Sequence, residues 1–192
     1  MSARTGPVAA WHTPPVARAV VFYRNMNLGH RNSPVRQVLE RVLEEAGAES
    51  ARSFQTNGTV LVEAADPRAV ADRAAAGLQA ACGYREVAFV RPFQQLVAIL
   101  DREPFAGLTD ERTYRETFTF LDDAPEFGAP LPWTNKRGDL EIISVADGVA
   151  LSLVRDIGGR TGDPTSELEA RLGVPATTRT LGTIQRLVKA YR

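Results

Sequence analysis

The sequence predicts an α+β protein in which a ferredoxin-like β-α-β-β-α-β subdomain packs against a second, imperfect α/β half of the same kind. Three observations carry this expectation. Between residues 18 and 91, short β-branched and aromatic runs alternate with amphipathic stretches in the order strand, helix, strand, strand, helix, strand. Both faces of those runs are apolar, with Val20 and Phe22 opposing Val21 and Tyr23, so helices on one face would leave the other for the rest of the chain to cover. Residues 92–192 then repeat strand, hairpin and helix signals, as an imperfect copy of the first half would.

Each element has a local cause. "RAVVFYR" is too short for a helix and rich in strand formers. Ser33 and Pro34 offer a cap and a first-turn proline to a helix whose apolar residues Val35, Val38, Leu39, Val42, Leu43 and Ala46 recur at helical spacing before Gly47. "ARSFQ" and "TVLVEA" are separated by "TNG", and Asn57 with Gly58 suits the positive φ angles of a tight hairpin. Asp66 and Pro67 start a second helix that Gly83 closes, before the strand "REVAFVR".

In the second half, Phe93, Leu96, Val97 and Leu100 form one helical stripe, and "ETFTFLDD" alternates as a half-buried strand does. "DDAPEFGAPLPWT" reads as a long loop. "DLEIISVADGVALSLVRD" reads as a hairpin turning at Asp147 and Gly148. Two helices follow, one from Asp163 and Pro164, the other from about Thr180 with Leu181, Ile184 and Val188 inward. The expected division is an N-terminal extension over 1–17, a ferredoxin-like subdomain over 18–91 and a second α+β subdomain over 92–192.

Composition excludes several classes. The 23 basic residues equal the 23 acidic ones, so no global field draws in nucleic acid or an anionic membrane. The third strand also lacks the aromatic platform of an RNA-recognition sheet. One cysteine, Cys82, rules out an internal disulfide and suits the cytoplasm. No stretch approaches the roughly 20 apolar residues of a membrane span. There is no nucleophile motif, no H-E-x-x-H, and the pair Asp122 and Asp123 has no His at ligand spacing, so neither a metal nor a cofactor is expected.

Two stretches suggest a binding site. "RNMNLGHRN" delivers Asn27, Gly29, His30, Arg31 and Asn32 to the start of the first helix, where free amides favour an anion. Thr177, Thr178 and Arg179 precede the last helix, where threonines ordinarily cap. The fold proposed above would let Arg24, Asn57 and Arg179 converge on one cleft. The candidate ligand-binding set is therefore Arg24, Asn27, His30, Asn57, Thr178 and Arg179, with no catalytic residue assigned.

"RNMNLGHRN" with its helix, the hairpin "FQTNGTVLVEA" and the terminal "RLGVPATTRTLGTIQRLVKA" resemble, in order and rough spacing, the bacterial domain-of-unknown-function family 1697. That family's corresponding motifs usually read R-G-I-N-V-G-G, S-G-N-V-V-F and A-T-T-R-N-W-N-T-V. The resemblance covers the chain from residue 18 onward and implies ferredoxin-like α+β subdomains but no function. Asn25 and His30 stand where the family has glycines. Residues 161–165, including Gly162 and Thr165, replace a Ser-Lys-Leu-Thr-Asn run, which puts in doubt any ligand those groups hold in relatives.

Two functional readings lead, with single-stranded RNA binding on a ferredoxin-like sheet as a weaker third. The first is a non-catalytic binding protein for a small anionic ligand or peptide, self-associating as a homodimer through a sheet edge. The second is an enzyme acting on a phosphorylated or carboxylated metabolite, with Arg24 and Arg179 clamping charge and His30 as acid or base.

Overall fold

The computed structural model describes residues 15–122 and 126–192, so the expected N-terminal extension lies almost wholly outside the described residues, as do His12 and Asp123. Strand β1 (Ala17–Tyr23) leads through the Asn- and Gly-rich loop to helix α1 (Arg36–Glu45). Strands β2 (Ser50–Phe54) and β3 (Thr59–Ala64) form a hairpin, and helix α2 (Pro67–Cys82) returns the chain to β4 (Ala88–Pro92). Next come α3 (Phe93–Leu100), β5 (Thr113–Leu121), the two-residue β6 (Trp133–Thr134), and the hairpin β7 (Leu140–Ala146) and β8 (Val149–Arg155). Helix α4 (Pro164–Leu172), β9 (Ala176–Thr180) and α5 (Leu181–Tyr191) complete the chain.

The fold is α+β, with two antiparallel sheets. The first is ordered β2-β3-β1-β4 and the second β6-β7-β8-β5-β9. Helices α1 and α2 share one face of the first sheet, where Leu39, Val42, Leu43, Val70, Ala74 and Leu78 pack against Val21, Tyr23, Val60 and Val62. The other face, carrying Val20, Phe22, Leu61 and Phe89, meets α3, α5 and the second sheet through Phe118, Phe120, Leu151 and Leu153. At the centre of that contact the Phe22 and Phe120 rings stack 3.7 Å apart. Helix α4 covers the far face of the second sheet with Leu168 and Leu172.

The registers make the likeness of the two sheets explicit. Tyr23 opposes Ala88 and Phe22 opposes Phe89 in one, while Leu121 opposes Ala176 and Phe120 opposes Thr177 in the other. Phe22 also opposes Thr59, as Phe120 opposes Val149. On this correspondence β5, β7, β8 and β9 repeat β1, β2, β3 and β4, and Arg179 occupies the place of Arg91. The segment after β5 contributes β6 and loop where the first sheet has α1.

Local capping follows the sequence in most places. Asp66 accepts from Ala69 N–H at 3.0 Å and Gly83 closes α2 at φ 76°. Asp163 caps α4, and Asp147 with Gly148 turns the β7–β8 hairpin at φ 50° and 72°. Three expectations need correction. The N-cap of α1 is Val35 rather than Ser33, because the Ser33 hydroxyl is engaged inside the loop, accepting from Asn27 N–H at 3.1 Å. The β2–β3 connection spans residues 55–58, and Gln55 and Gly58, not Asn57, take the positive φ angles. The threonine-rich segment before the last helix is not simply a cap: it is edge strand β9, paired with β5.

Candidate functional site

Arg179 sits on β9 with its side chain turned toward the first sheet, since alternation along the strand puts Thr177 and Arg179 on the face that meets Phe22. It is 7% exposed. Its guanidinium donates to Thr59 Oγ1 and Thr177 Oγ1 at 2.9 Å, and to the carbonyls of Thr178 and Tyr23 at 2.9 Å and Asn57 at 2.6 Å. All five donors are used, every acceptor is neutral, and Arg179 makes no ion pair among the described residues. Burial therefore disfavours its charge and pushes its pKa down to about 10, leaving it cationic at neutral pH.

Above this cation lies a cleft of about 560 Å³ bordered by Asn57, Arg115, Glu116, Thr178, Arg179 and the start of α5. Thr180 caps that helix, accepting from Thr183 N–H at 3.3 Å, so the amides of Leu181 and Gly182 are the helix's free donors. A Cβ built on Gly182 would meet nothing within 4 Å, so the cleft is open there. The Asn57 Oδ1 accepts from Thr59 Oγ1 at 2.8 Å, which orients its amide. Arg115 is exposed and lies over the Tyr114 ring at 4.6 Å. With Glu116 as the carboxylate on this rim, Arg115 and Arg179 leave a net positive site.

Arg91, the counterpart of Arg179, is 6% exposed and caps the second sheet in the same manner. It donates to the carbonyls of Leu121, Gly148 and Val90, but also to Asp122 Oδ1 at 2.9 Å. Each sheet thus lends an arginine to close the strand ends of the other. Asp122 follows β5 where Arg24 follows β1, so the in-chain carboxylate beside Arg91 is replaced at the first sheet by a second cation.

The six sequence candidates divide accordingly. Asn57, Thr178 and Arg179 border the cleft just described. Arg24 borders another hollow, where its guanidinium pairs with Glu169 at 2.9 Å and Glu86 at 2.6 Å. Hydrogen bonding to Glu169 and then Glu86 raises the Arg24 pKa, and the bond from Arg24 lowers that of Glu169. Asn27 and His30 border neither hollow. The His30 N–H donates to Asn27 O, the Leu28 N–H to Thr56 O and the Gly29 N–H to Pro34 O, so the loop spends these amides on its own chain and the neighbouring hairpin.

Arg115, Thr180 and Thr183 border the cleft and carry no motif that would mark them. A signal for β9 and its arginine was available: "AFVRP" and "ATTRT" have the same Ala-x-x-Arg spacing, each followed by an amphipathic helix. Among the described residues no group of three or more His, Cys, Asp or Glu could hold a metal ion, and no helix is long and apolar enough to cross a membrane.

A solved structure described as the conserved bacterial protein SP0830 from Streptococcus pneumoniae is similar to this chain, with a TM-score of 0.62 at 15% identity, covering 92% of this chain and 99% of the other. At that identity the likeness concerns the fold. No curated protein matches. The profile of a protein family of unknown function, DUF1697, matches residues 16–150, which takes in the first sheet and most of the second. The chain belongs to the DUF1697 family.

Proposed function

We propose that this protein is a non-catalytic binding protein for a small anionic ligand, held in the cleft between Asn57, Arg115 and the start of α5. The observation that carries the reading is the pairing of Arg179: a buried guanidinium whose five acceptors are all neutral, with no carboxylate partner among the described residues. In a low-dielectric surrounding such a charge acts strongly on a neighbouring anion. The amide of Gly182 and the Arg115 side chain supply donors to the same space.

In this reading the ligand is bound over Arg179 rather than by it, because that side chain has no donor to spare. Asn57, Arg115 and Thr183 make the direct contacts. Arg24 does not join them, since Glu86 and Glu169 already satisfy it. Cytoplasmic residence and self-association through an outer strand such as β2 or β6 accompany the proposal, and sedimentation of the full chain tests the second.

The test is the melting temperature against sodium phosphate at constant ionic strength. Saturable stabilisation is expected for the unmodified protein, with loss of the effect in the Arg115→Ala, Thr183→Val double variant. An equal shift in both proteins would overturn the reading.

A further inference from the structure

Strands β4 and β9 hold corresponding places at the outer edges of the two sheets, and each follows the helix that covers its own sheet, α2 or α4. Phe89 of β4 opposes Phe22 as Thr177 of β9 opposes Phe120, so Ala88 corresponds to Ala176. Along an antiparallel strand, the N–H and C=O of one residue face its neighbour and those of the next face away. The Arg24 N–H donates to Val87 O, which fixes the phase. Val87, Phe89 and Arg91 face β1, and Ala88 and Val90 turn their backbone groups outward.

The two edges are finished differently. At β9 the Ala176 N–H donates to Glu169 Oε1 of α4 at 2.9 Å, so a carboxylate of the covering helix closes that position. Counted from the capping aspartates Asp66 and Asp163, Asp72 holds the place of Glu169, six positions on in each helix. Asp72 is exposed and, among the described residues, reaches no amide, while the Ala88 and Val90 N–H groups have no acceptor. The outward carbonyls are met by arginines: Arg68 donates to Ala88 O at 3.3 Å and Arg91 to Val90 O at 2.7 Å. Beside Ala88 a hollow of about 670 Å³ lies between α2 and residues 84–88, walled on the helix side by Ala71, Ala75 and Ala76. An unfinished strand edge next to such a space is a template for a further strand.

We propose that β4 is a docking edge for an extended peptide segment of a partner protein, which enters the groove beside α2 as a fifth strand antiparallel to β4. Every pair in this sheet is antiparallel, and charge selects the occupant. Exposed Asp72, with Asp147, marks the end of the groove next to Arg91, and exposed Arg85 marks the other. A segment with a basic residue first and an acidic residue last meets both. Because Arg91 occupies Val90 O, the residue opposite Val90 needs a carbonyl and no N–H, as proline provides. The residue opposite Ala88 pairs with both its backbone groups, displacing the long bond from half-exposed Arg68, which keeps Asp122. A second copy of this chain fits less well: two β4 strands paired antiparallel about Ala88 would set Arg85 of each against Arg91 of the other.

The probe is the blocked peptide acetyl-Lys-Pro-Val-Ala-Val-Thr-Glu-amide, and its control is the same peptide with Glu first and Lys last. Followed by amide chemical shifts and hydrogen exchange of the full chain, the probe should bind saturably and slow exchange at Ala88 and Val90. Phe89, already paired with Phe22, should exchange as before. The control should bind about threefold to tenfold more weakly, and the Asp72→Lys, Arg85→Glu double variant should reverse that order. Ala75→Leu, at an exposed position on α2, should abolish binding by filling the groove. Unaltered exchange at Ala88 and Val90, equal binding of the two peptides in both proteins, or undiminished binding by Ala75→Leu would each overturn the proposal. So would protection of these amides that rises with protein concentration in the absence of peptide, which would make the occupant a second copy. The Arg115→Ala, Thr183→Val variant should bind the probe as the unmodified protein does, so this outcome is read separately from that of the phosphate experiment.

Discussion

Arg91 and Arg179 hold corresponding places in two sheets of like topology, yet they differ in how their charge is met. Each reaches across to the opposite sheet and gathers the carbonyls at a strand end and a hairpin turn. Arg91 adds Asp122 to that set, and Arg179 adds the hydroxyls of Thr59 and Thr177. Geometry is therefore shared and electrostatics is not. Where a carboxylate completes the ring of acceptors, the arginine is a neutralised clasp between sheets. Where hydroxyls complete it, no carboxylate among the described residues pairs with the arginine, and the cleft beside it is the one proposed above to hold an anion.

Removing the guanidinium should have the largest effect. Arg179→Met leaves several buried acceptors unpaired and is expected to cost about 3 kcal/mol in urea denaturation. It should also abolish stabilisation by phosphate, whereas Arg91→Met should preserve that response. A phosphate effect that survives Arg179→Met and disappears with Arg91→Met would reverse the comparison. Thr177→Asp sharpens it further: a carboxylate beside Arg179 would make it resemble Arg91, and phosphate should then no longer stabilise the protein.

Gly148→Ala comes next. This turn residue has φ 72°, and a Cβ there would run into the Arg91 guanidinium and come 2.7 Å from Leu121 O. Strain and collision together should cost about 2 kcal/mol, read from the same denaturation curves, with the phosphate response intact.

Asp122→Asn converts Arg91 into an uncompensated clasp like Arg179. Asp122 is 35% exposed and also pairs with Arg68, so solvent screening limits the loss to about 1 kcal/mol. An additional weak phosphate response in this variant would support the electrostatic account, and the loss of the original response would contradict it.

The smallest effect concerns Arg24. Glu169, its first partner, has a folded pKa below the usual 4.5, so its contribution is complete above that value and fades as the pH drops through the folded one. Glu169→Gln should cost less than about 1 kcal/mol at neutral pH and flatten the acid limb of the stability profile below pH 4.5. An unchanged limb would mean the pair adds nothing.

Much of the frame was legible along the chain because it depends on neighbours in sequence. Asp66 with Pro67, Asp163 with Pro164, and Asp147 with Gly148 start or turn their elements by local chemistry, and they do so in the structure. The apolar second face of the first sheet likewise announced that something would cover it. Strand β9 was harder to see. Its threonines satisfy a capping rule as readily as a strand rule, and only pairing with β5 selects the strand. Ser33 failed as a cap for a related reason: its hydroxyl had a competing partner six residues earlier.

The site divided along the same line. Arg24, Asn57 and Arg179 are drawn toward one end of the first sheet, but a side chain's direction is set by what it can pair with once the fold is closed. Glu86 and Glu169 pull the Arg24 guanidinium to one hollow, and the carbonyls of Tyr23 and Asn57 hold that of Arg179 beneath another.

By itself, then, the sequence determined the α+β class, the order of the elements in the first half and many of their ends, because propensity, capping and periodicity act over a few residues. The tertiary structure alone decided that two arginines would be exchanged between sheets, and that among the described residues one would have no counter-ion and the Tyr23 hydroxyl would be buried without a partner. Those outcomes depend on groups as many as 156 positions apart in the chain, and no local rule couples charge and burial over such a separation.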